Sequence, residues 1–210
     1  MRLRPVPGTA GRHEDGRHED GPVADLRVVH TADLGTATAD RVRALLDTAY
    51  AGDFADEDWE HCLGGLHAVL EEDDGTPVGH AALVQRRLLH RGRALRAGYV
   101  EGVAVRPDRR RRGHAGTLMG ALERVVAAAY DLGALSTSDG ATALYAGRGW
   151  RPWRGPTSVL APTGVRPTPD DDGGVYVLPG TALPGTVLPG TVPLDLDAAL
   201  TCDWRDGDVW

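Results

Sequence analysis

Four consecutive arginines, Arg109–Arg112, stand directly before the run Gly113-His114-Ala115-Gly116. Guanidinium groups beside a glycine-containing turn suit a polyphosphate, because arginine pairs with phosphate oxygens and glycine lets backbone amides come close. Upstream, Val100, Val103 and Val105 supply the β-branched side chains of a strand. Arg106-Pro107-Asp108 then ends that strand, since proline fixes φ and has no amide donor. Downstream, Leu118, Leu122, Val125 and Ala129 recur at the spacing of one helix face. The basic turn therefore opens a helix whose unpaired amides and positive dipole end attract anions. A P-loop would need Gly-Lys-Ser/Thr at this point, which is absent. A dinucleotide fingerprint would need three spaced glycines after the first strand, whereas this turn lies in mid-chain.

A second group of residues points to the opposite charge. Asp53, Asp56, Glu57, Asp58 and Glu60 crowd into eight positions beside Phe54 and Trp59. Helix capping and first-turn carboxylates account for one or two of them, with Asp56 well placed for the task. Five carboxylates are also what a polycation would meet, with Asp53 and Asp58 lining its site.

The rest of the chain has to position these groups. With 210 residues, of which 41% are hydrophobic and 25% charged, it can bury a substantial core as essentially one domain. The net charge of −7 disfavours nucleic acid as a partner, and no aromatics interleave with the basic run. No apolar run reaches the roughly 20 residues of a membrane helix, and no apolar leader opens the chain, so the expectation is a cytoplasmic protein. Cys62 and Cys202 have no metal-ligand or redox spacing and read as buried free thiols. No metal site is expected.

Residues 1–22 hold the pentapeptide Arg-His-Glu-Asp-Gly twice, at 12–16 and 17–21, and within those repeats no apolar residue fixes the histidines and acids. They read as a solvated tail. The folded domain then spans 23–210. Asp25–Thr31 alternates as a strand, and Thr38 can cap a helix over Ala39–Ala49 that turns Val42, Leu45 and Leu46 inward. Leu66–Glu72 and Val78–Leu89 form a hairpin around Asp74-Gly75-Thr76-Pro77, Arg91-Gly92 turns again, and Leu95–Val105 returns. After the phosphate-binding helix come a short strand at Leu135–Ser138 and a helix over 139–148 that ends at Gly149. A threefold Leu-Pro-Gly-Thr repeat at 178–192 reads as an inserted, conformationally restricted loop.

Arg110-Arg111-Arg112-Gly113-His114-Ala115 resembles the Arg/Gln-x-x-Gly-x-Gly/Ala signature of the GCN5-related N-acetyltransferases. About 30 residues on, Leu144-Tyr145-Ala146-Gly147-Arg148-Gly149-Trp150 resembles that family's Leu-Tyr-x-x-x-Gly-Phe/Trp element. Gly52-Asp53-Phe54, Asp58-Trp59-Glu60-His61, Gly98–Val105, 155–164, 168–173 and Cys202–Trp210 resemble one branch, the actinobacterial aminoglycoside 2′-N-acetyltransferases. The resemblance covers about 23–210; the tail at 1–22 and the repeat at 178–192 depart from it.

The resemblance implies an α+β fold, with a mixed, mostly antiparallel sheet flanked by helices and a splayed strand pair holding acetyl-CoA. It further implies a homodimer. The pyrophosphate would lie on Arg110, Arg111, Arg112, Gly113, His114, Ala115 and Gly116, and the pantetheine on the backbone of Val103 and Val105. An amide of this strand would donate to the oxyanion. By the same resemblance Glu101 is the base, acting through a water, although it can also serve chiefly to orient the amine. Tyr145 is the acid that protonates the thiolate, against a reading as a core tyrosine. Asp53, Asp58, Ser136, Asp171, Asp208 and Trp210 are the matched substrate residues, with the terminal carboxylate of Trp210 among the anions. The Trp210 ring either stacks on a sugar or packs in the core. The alternatives to aminoglycoside acetylation are acetylation of another primary amine and a non-catalytic binding module.

Overall fold

The computed structural model describes residues 24–137, 139–180 and 194–210. The duplicated pentapeptide, and the repeat beyond its first Leu-Pro-Gly, lie outside the described residues.

The sheet is built around the longest strand, β3 (Pro77–His90). β4 (Arg93–Val105) runs antiparallel along one edge of it, after a turn in which Arg91 (φ +49°) and Gly92 (φ +73°) both take the left-handed conformation that a tight hairpin requires. The other edge of β3 is shared. Its first half pairs with β2 (Leu66–Glu71), which β1 (Asp25–His30) flanks, and its end pairs with β10 (Leu200–Asp203). The β2–β3 turn closes because Asp74 accepts the Thr76 amide at 2.9 Å and Gly75 sits at φ +76°.

Beyond β4 lie β5 (Leu132–Ser136), β9 (Val175–Pro179) and β6 (Arg151–Pro152). Beyond β10 lie β7 (Thr157–Ala161) and β8 (Gly164–Pro167). Among the described residues this is one ten-stranded sheet with only the β4–β5 and β7–β10 pairs parallel, an α+β architecture that is mostly antiparallel. Leu178 and Pro179 of the repeat belong to β9, so the expected loop begins as strand.

The helices cover both faces. α1 (Thr31–Leu34), α2 (Thr36–Ala49) and α3 (Asp56–Cys62) bury Leu34, Val42, Leu46 and Cys62 against Val69, Ala82 and Ala104. The alternate residues Ala68, Leu70, Ala81, Leu83 and Val100 face the opposite way, onto α4 (His114–Ala129). That helix turns Leu118, Met119, Leu122 and Val126 inward; Val125 is only half-buried and Ala129 exposed, a correction of about one position to the expected face.

Several sequence expectations shift in register. Gly35 precedes α2, so Thr38 is a buried residue inside the helix and caps nothing. At α3 the carboxylate that meets the helix start is Asp58, which accepts the Ala55 amide at 2.8 Å, while Asp56 pairs with Arg43. The span 139–148 holds a 3-10 turn (Asp139–Ala141) followed by α5 (Thr142–Ala146). Both cysteines are buried free thiols, as expected.

Two irregularities of the sheet create the site. β4 and β5 pair only from Ala97 to Tyr99 and from Leu132 to Ala134. From Val100 and Leu135 onward neither strand has the other as a partner, which leaves an open V between them. In the β3 register Glu101 faces Ala82 and Ala104 faces His80, so β4 carries one extra residue, a bulge at Gly102-Val103 with Gly102 at φ +55°.

Candidate active site

A cavity of about 1020 Å³ occupies that V. Val100–Val105 form one wall and Leu135, Ser136 and Thr137 the other; Gly113–Gly116, Asp58, Arg205, Asp208 and Trp210 also line it.

The basic turn is divided in its duties. Arg109, together with Arg106, grips Glu72 of the β2–β3 turn, and those hydrogen bonds hold the Glu72 carboxyl below its usual range. Arg110 donates to the carbonyls of Val105 and Ala49, both at 3.2 Å, which braces the turn against β4 and α2. Arg111 adopts φ +63° and Gly113 φ +84°, so the chain doubles back to start α4 with its first amides toward the cavity. Arg110, Arg111, Gly113, His114, Ala115 and Gly116 line the cavity; Arg112 is exposed and does not.

Tyr145 reaches the cavity from α5, its ring buried at 6.1 Å from Trp150 and 6.4 Å from Tyr176. Burial pushes its phenol up to about 12, so it keeps its proton at neutral pH. The following turn is pinned to α4 through one carboxylate. Glu123 accepts from Arg148 Nε at 2.8 Å and from Trp150 Nε1 at 2.9 Å, while the Trp150 amide returns to the Tyr145 carbonyl at 3.1 Å. The tyrosine is therefore both a core residue and a cavity residue.

Glu101 projects from β4 just before the bulge, and its carboxylate meets the guanidinium of Arg205. Burial raises the Glu101 carboxyl above its usual range; the charge and hydrogen bond of Arg205, then Arg86, oppose that rise. Arg205 also donates to the carbonyls of Asp208 at 2.6 Å and Trp210 at 2.9 Å, so the same cation that pairs Glu101 folds the 205–210 segment over the cavity mouth. Its guanidinium lies 5.5 Å from the Tyr99 ring centre, and Arg86 lies 4.7 Å from the same ring while forking onto Asp203.

The carboxylates sort by position. Asp58 and the exposed Asp208 line the mouth. Asp171 is half-buried outside the lining, and its carboxyl is raised by burial first and then by the charge of Asp208. Asp53 is exposed on the turn after α2, where Gly52 takes φ +88°, and is not brought to the cavity. Ser136 lines it from the end of β5. The Trp210 ring is 2% exposed, packs in the core and donates Nε1 to Thr168 at 2.9 Å, so it offers no free face for stacking on a sugar. Its carbonyl oxygen is the part held by Arg205.

Sequence reasoning missed Tyr50, Arg205 and Gly102. Tyr50 donates its hydroxyl to the Val103 carbonyl at 3.2 Å and lines the cavity; burial, then the neighbourhood of Tyr145, raises its phenol well above the usual range. Its signal is position: an amphipathic aromatic immediately follows α2. Arg205 stands alone among the acids of Asp203–Asp208, which is the pattern of a structural ion pair.

A family model described as an acetyltransferase (GNAT) domain matches residues 31–153. The chain is 54% identical over 184 residues to an aminoglycoside 2′-N-acetyltransferase of Mycolicibacterium fortuitum, covering 88% of this chain and 91% of that protein. In shape it resembles the GNAT family N-acetyltransferase YhbS of Escherichia coli, crystallised with CoA, with a TM-score of 0.55 at 19% identity over 86% of this chain and 90% of that one. It also resembles Eis1 of Mycobacterium abscessus, with a TM-score of 0.53 at 20% identity over 65% of this chain and 33% of that one.

Proposed function

The chain belongs to the GNAT acetyltransferases, and from that footing we propose that it transfers the acetyl group of acetyl-CoA to the 2′-amine of an aminoglycoside. The observation that carries the substrate is the 54% identity to an aminoglycoside 2′-N-acetyltransferase over 91% of that protein's length. A cavity lined by Asp58 and Asp208 as well as by the basic turn agrees with a cationic substrate.

The cavity's residues fit the coenzyme. An added Cβ on Gly113 would meet nothing within 4 Å, so the start of α4 has room for a large anion against its amides. Those amides, with Arg110 and Arg111, would hold the pyrophosphate. The unpaired edge of β4 would take the pantetheine as an added strand, beside Val103 and Val105. When bound, acetyl-CoA supplies the acetyl group as an activated thioester.

Glu101 accepts the proton that the ammonium must lose before its nitrogen has a lone pair. Arg205 opposes the rise that burial causes, so the paired carboxylate of Glu101 serves as the proton acceptor and as the group that orients the amine. Tyr145 stays protonated at neutral pH and donates a hydrogen bond to the sulfur as its negative charge develops, passing the proton to it as the C–S bond breaks. Asp58 and Asp208, with Asp171 behind Asp208, hold the other ammonium groups through charge-assisted contacts of about 1.5–3 kcal/mol each before desolvation. We read the enzyme as a cytoplasmic homodimer that confers aminoglycoside resistance, on the strength of the family resemblance.

The test is product structure. Incubation with acetyl-CoA and tobramycin is expected to give one monoacetylated product whose nuclear magnetic resonance spectrum puts the acetyl group on the 2′-nitrogen. Acetylation at any other amine would refute the regiochemistry.

A further inference from the structure

Beneath the bulge of β4 lie two histidines to which the chemistry above gives no role. His67 on β2 and His80 on β3 are both fully buried, with ring centres 5.3 Å apart and Trp59 packed near each. His67 Nδ1 is 3.0 Å from His80 Nε2, His80 Nδ1 is 2.9 Å from the Gly102 carbonyl oxygen, and His67 Nε2 is 2.9 Å from the Thr31 hydroxyl.

The carbonyl fixes the direction of this chain. A carbonyl oxygen only accepts, so His80 Nδ1 carries a proton and donates it to Gly102. Burial lowers the pKa of His80 to about 3 and of His67 to about 4, so each ring is neutral and carries one proton. His80 Nε2 is then an acceptor, His67 Nδ1 donates to it, and His67 Nε2 accepts from Thr31. The Gly64 amide completes the series by donating to the Thr31 oxygen at 2.9 Å. A wire that ends on a carbonyl moves no proton to the cavity. Its effect is geometric.

We infer that His80, held in its tautomer by His67 and Thr31, is a positioning residue that aims the Val103 amide into the acetyl-binding cavity. No described peptide bond is cis, so the Gly102–Val103 unit is trans and its C=O and N–H point in opposite directions. His80 draws the carbonyl onto its own ring, beside Cys62 and Trp59. The Val103 N–H therefore points away from that ring, and Val103 lines the open cavity. Gly102 and Val103 have no Cα partner in the β3 register, so this peptide lies outside the regular pairing. Tyr50 holds the next carbonyl, that of Val103, from the cavity side. An amide there donates to an oxygen on which negative charge develops. Gly102 allows the arrangement because φ +55° is open to it, and a Cβ would come within 2.8 Å of Cys62 Sγ.

The inference rests on the acetyl-transfer reading, and its test separates the two. Acetyl-CoA carrying a ¹³C thioester carbonyl is bound to the wild type and to His80→Leu and His80→Asn variants. Infrared spectra then report the hydrogen bond on that carbonyl. Asn places a donor near the Nδ1 position; Leu has none. The expected result is a carbonyl band shifted down in the wild type and in His80→Asn, and returned toward the free value in His80→Leu. kcat of His80→Leu should fall about 10–100-fold, short of the loss of an entire oxyanion donor, with its Kd for acetyl-CoA within about threefold of wild type. If His80→Leu does not fold, His80→Gln, whose amide reaches the Nε2 position, takes its place. In the ligand-free protein, ¹⁵N spectra should show the Nδ1–H tautomer at both histidines. A band unmoved in His80→Leu or His80→Gln, an Nε2–H tautomer at His80, or a His80→Asn variant as impaired as His80→Leu would overturn the inference. A wild type that binds no acetyl-CoA would overturn the acetyl-transfer reading, and this inference with it.

Discussion

The Glu101–Arg205 pair can be taken apart by a double-mutant cycle. Their side chains are 15% and 14% exposed, so neither ion is well hydrated if its partner is removed. Arg205→Met leaves a carboxylate buried without a counter-ion, and Glu101→Gln leaves a guanidinium in the same position. Loss of one partner of a buried pair costs about 3–5 kcal/mol. For a domain of this size that corresponds to a fall in Tm of about 6–20 °C. Arg205→Met should be the worse of the two, because Arg205 also holds the carbonyls of Asp208 and Trp210. The double variant should be destabilised by less than the sum, with a coupling energy of about 1–3 kcal/mol. Glu101 gains a proton more readily without the arginine, so the deficit of Arg205→Met should shrink as pH falls. Denaturant unfolding of all four proteins at pH 8 and pH 5 measures each quantity. Strict additivity of the two substitutions would show that the pair does not interact in solution, and would refute the role given to Arg205.

Tyr145→Phe should lower kcat by about 10²–10⁴-fold and leave the Kd for acetyl-CoA nearly unchanged, in single-turnover and equilibrium binding measurements. The buried histidines should make the fold acid-sensitive. Each binds a proton readily only when unfolded, near its ordinary pKa of 6.5, so its neutral-state stability is complete above that pH and is lost as pH falls toward about 4 for His67 and about 3 for His80. The loss is about 1.4 kcal/mol per histidine per pH unit, and a His67→Asn/His80→Asn double variant should flatten it in urea titrations from pH 7 to 4.5. Gly102→Ala should cost about 1–3 kcal/mol in Tm-derived stability from backbone strain and should also depress kcat.

Much of the scaffold was legible from the sequence because its signals are local. The Asp74-Gly75 and Arg91-Gly92 turns, the β-branched run of β4 and the apolar stripe of α4 each declare themselves within a dozen residues. Strand β10 did not, because four residues, Leu200–Asp203, become a strand only when β3 and β7 offer their edges. The site divides in the same way. Gly113 and Tyr145 carry motif signals, and the structure brings both to one cavity. Arg205 and Glu101 are 104 residues apart, and nothing local marks the arginine as the partner of that carboxylate. The His67–Gly102 chain depends on three strands and one bulge. Asp53 shows the opposite failure: its nearness in sequence to Asp58 suggests a shared site, yet it sits exposed after a left-handed Gly52 and only Asp58 lines the cavity.

Acetyl transfer to the 2′-nitrogen is tested most directly by a matched pair of substrates. Thiol release from acetyl-CoA is followed with kanamycin B, which has a 2′-amine, and with kanamycin A, which has a 2′-hydroxyl in its place and is otherwise the same. Turnover with the first and none above background with the second is the expected result. Comparable kcat/KM for both would mean that another amine is the acceptor and would contradict the account.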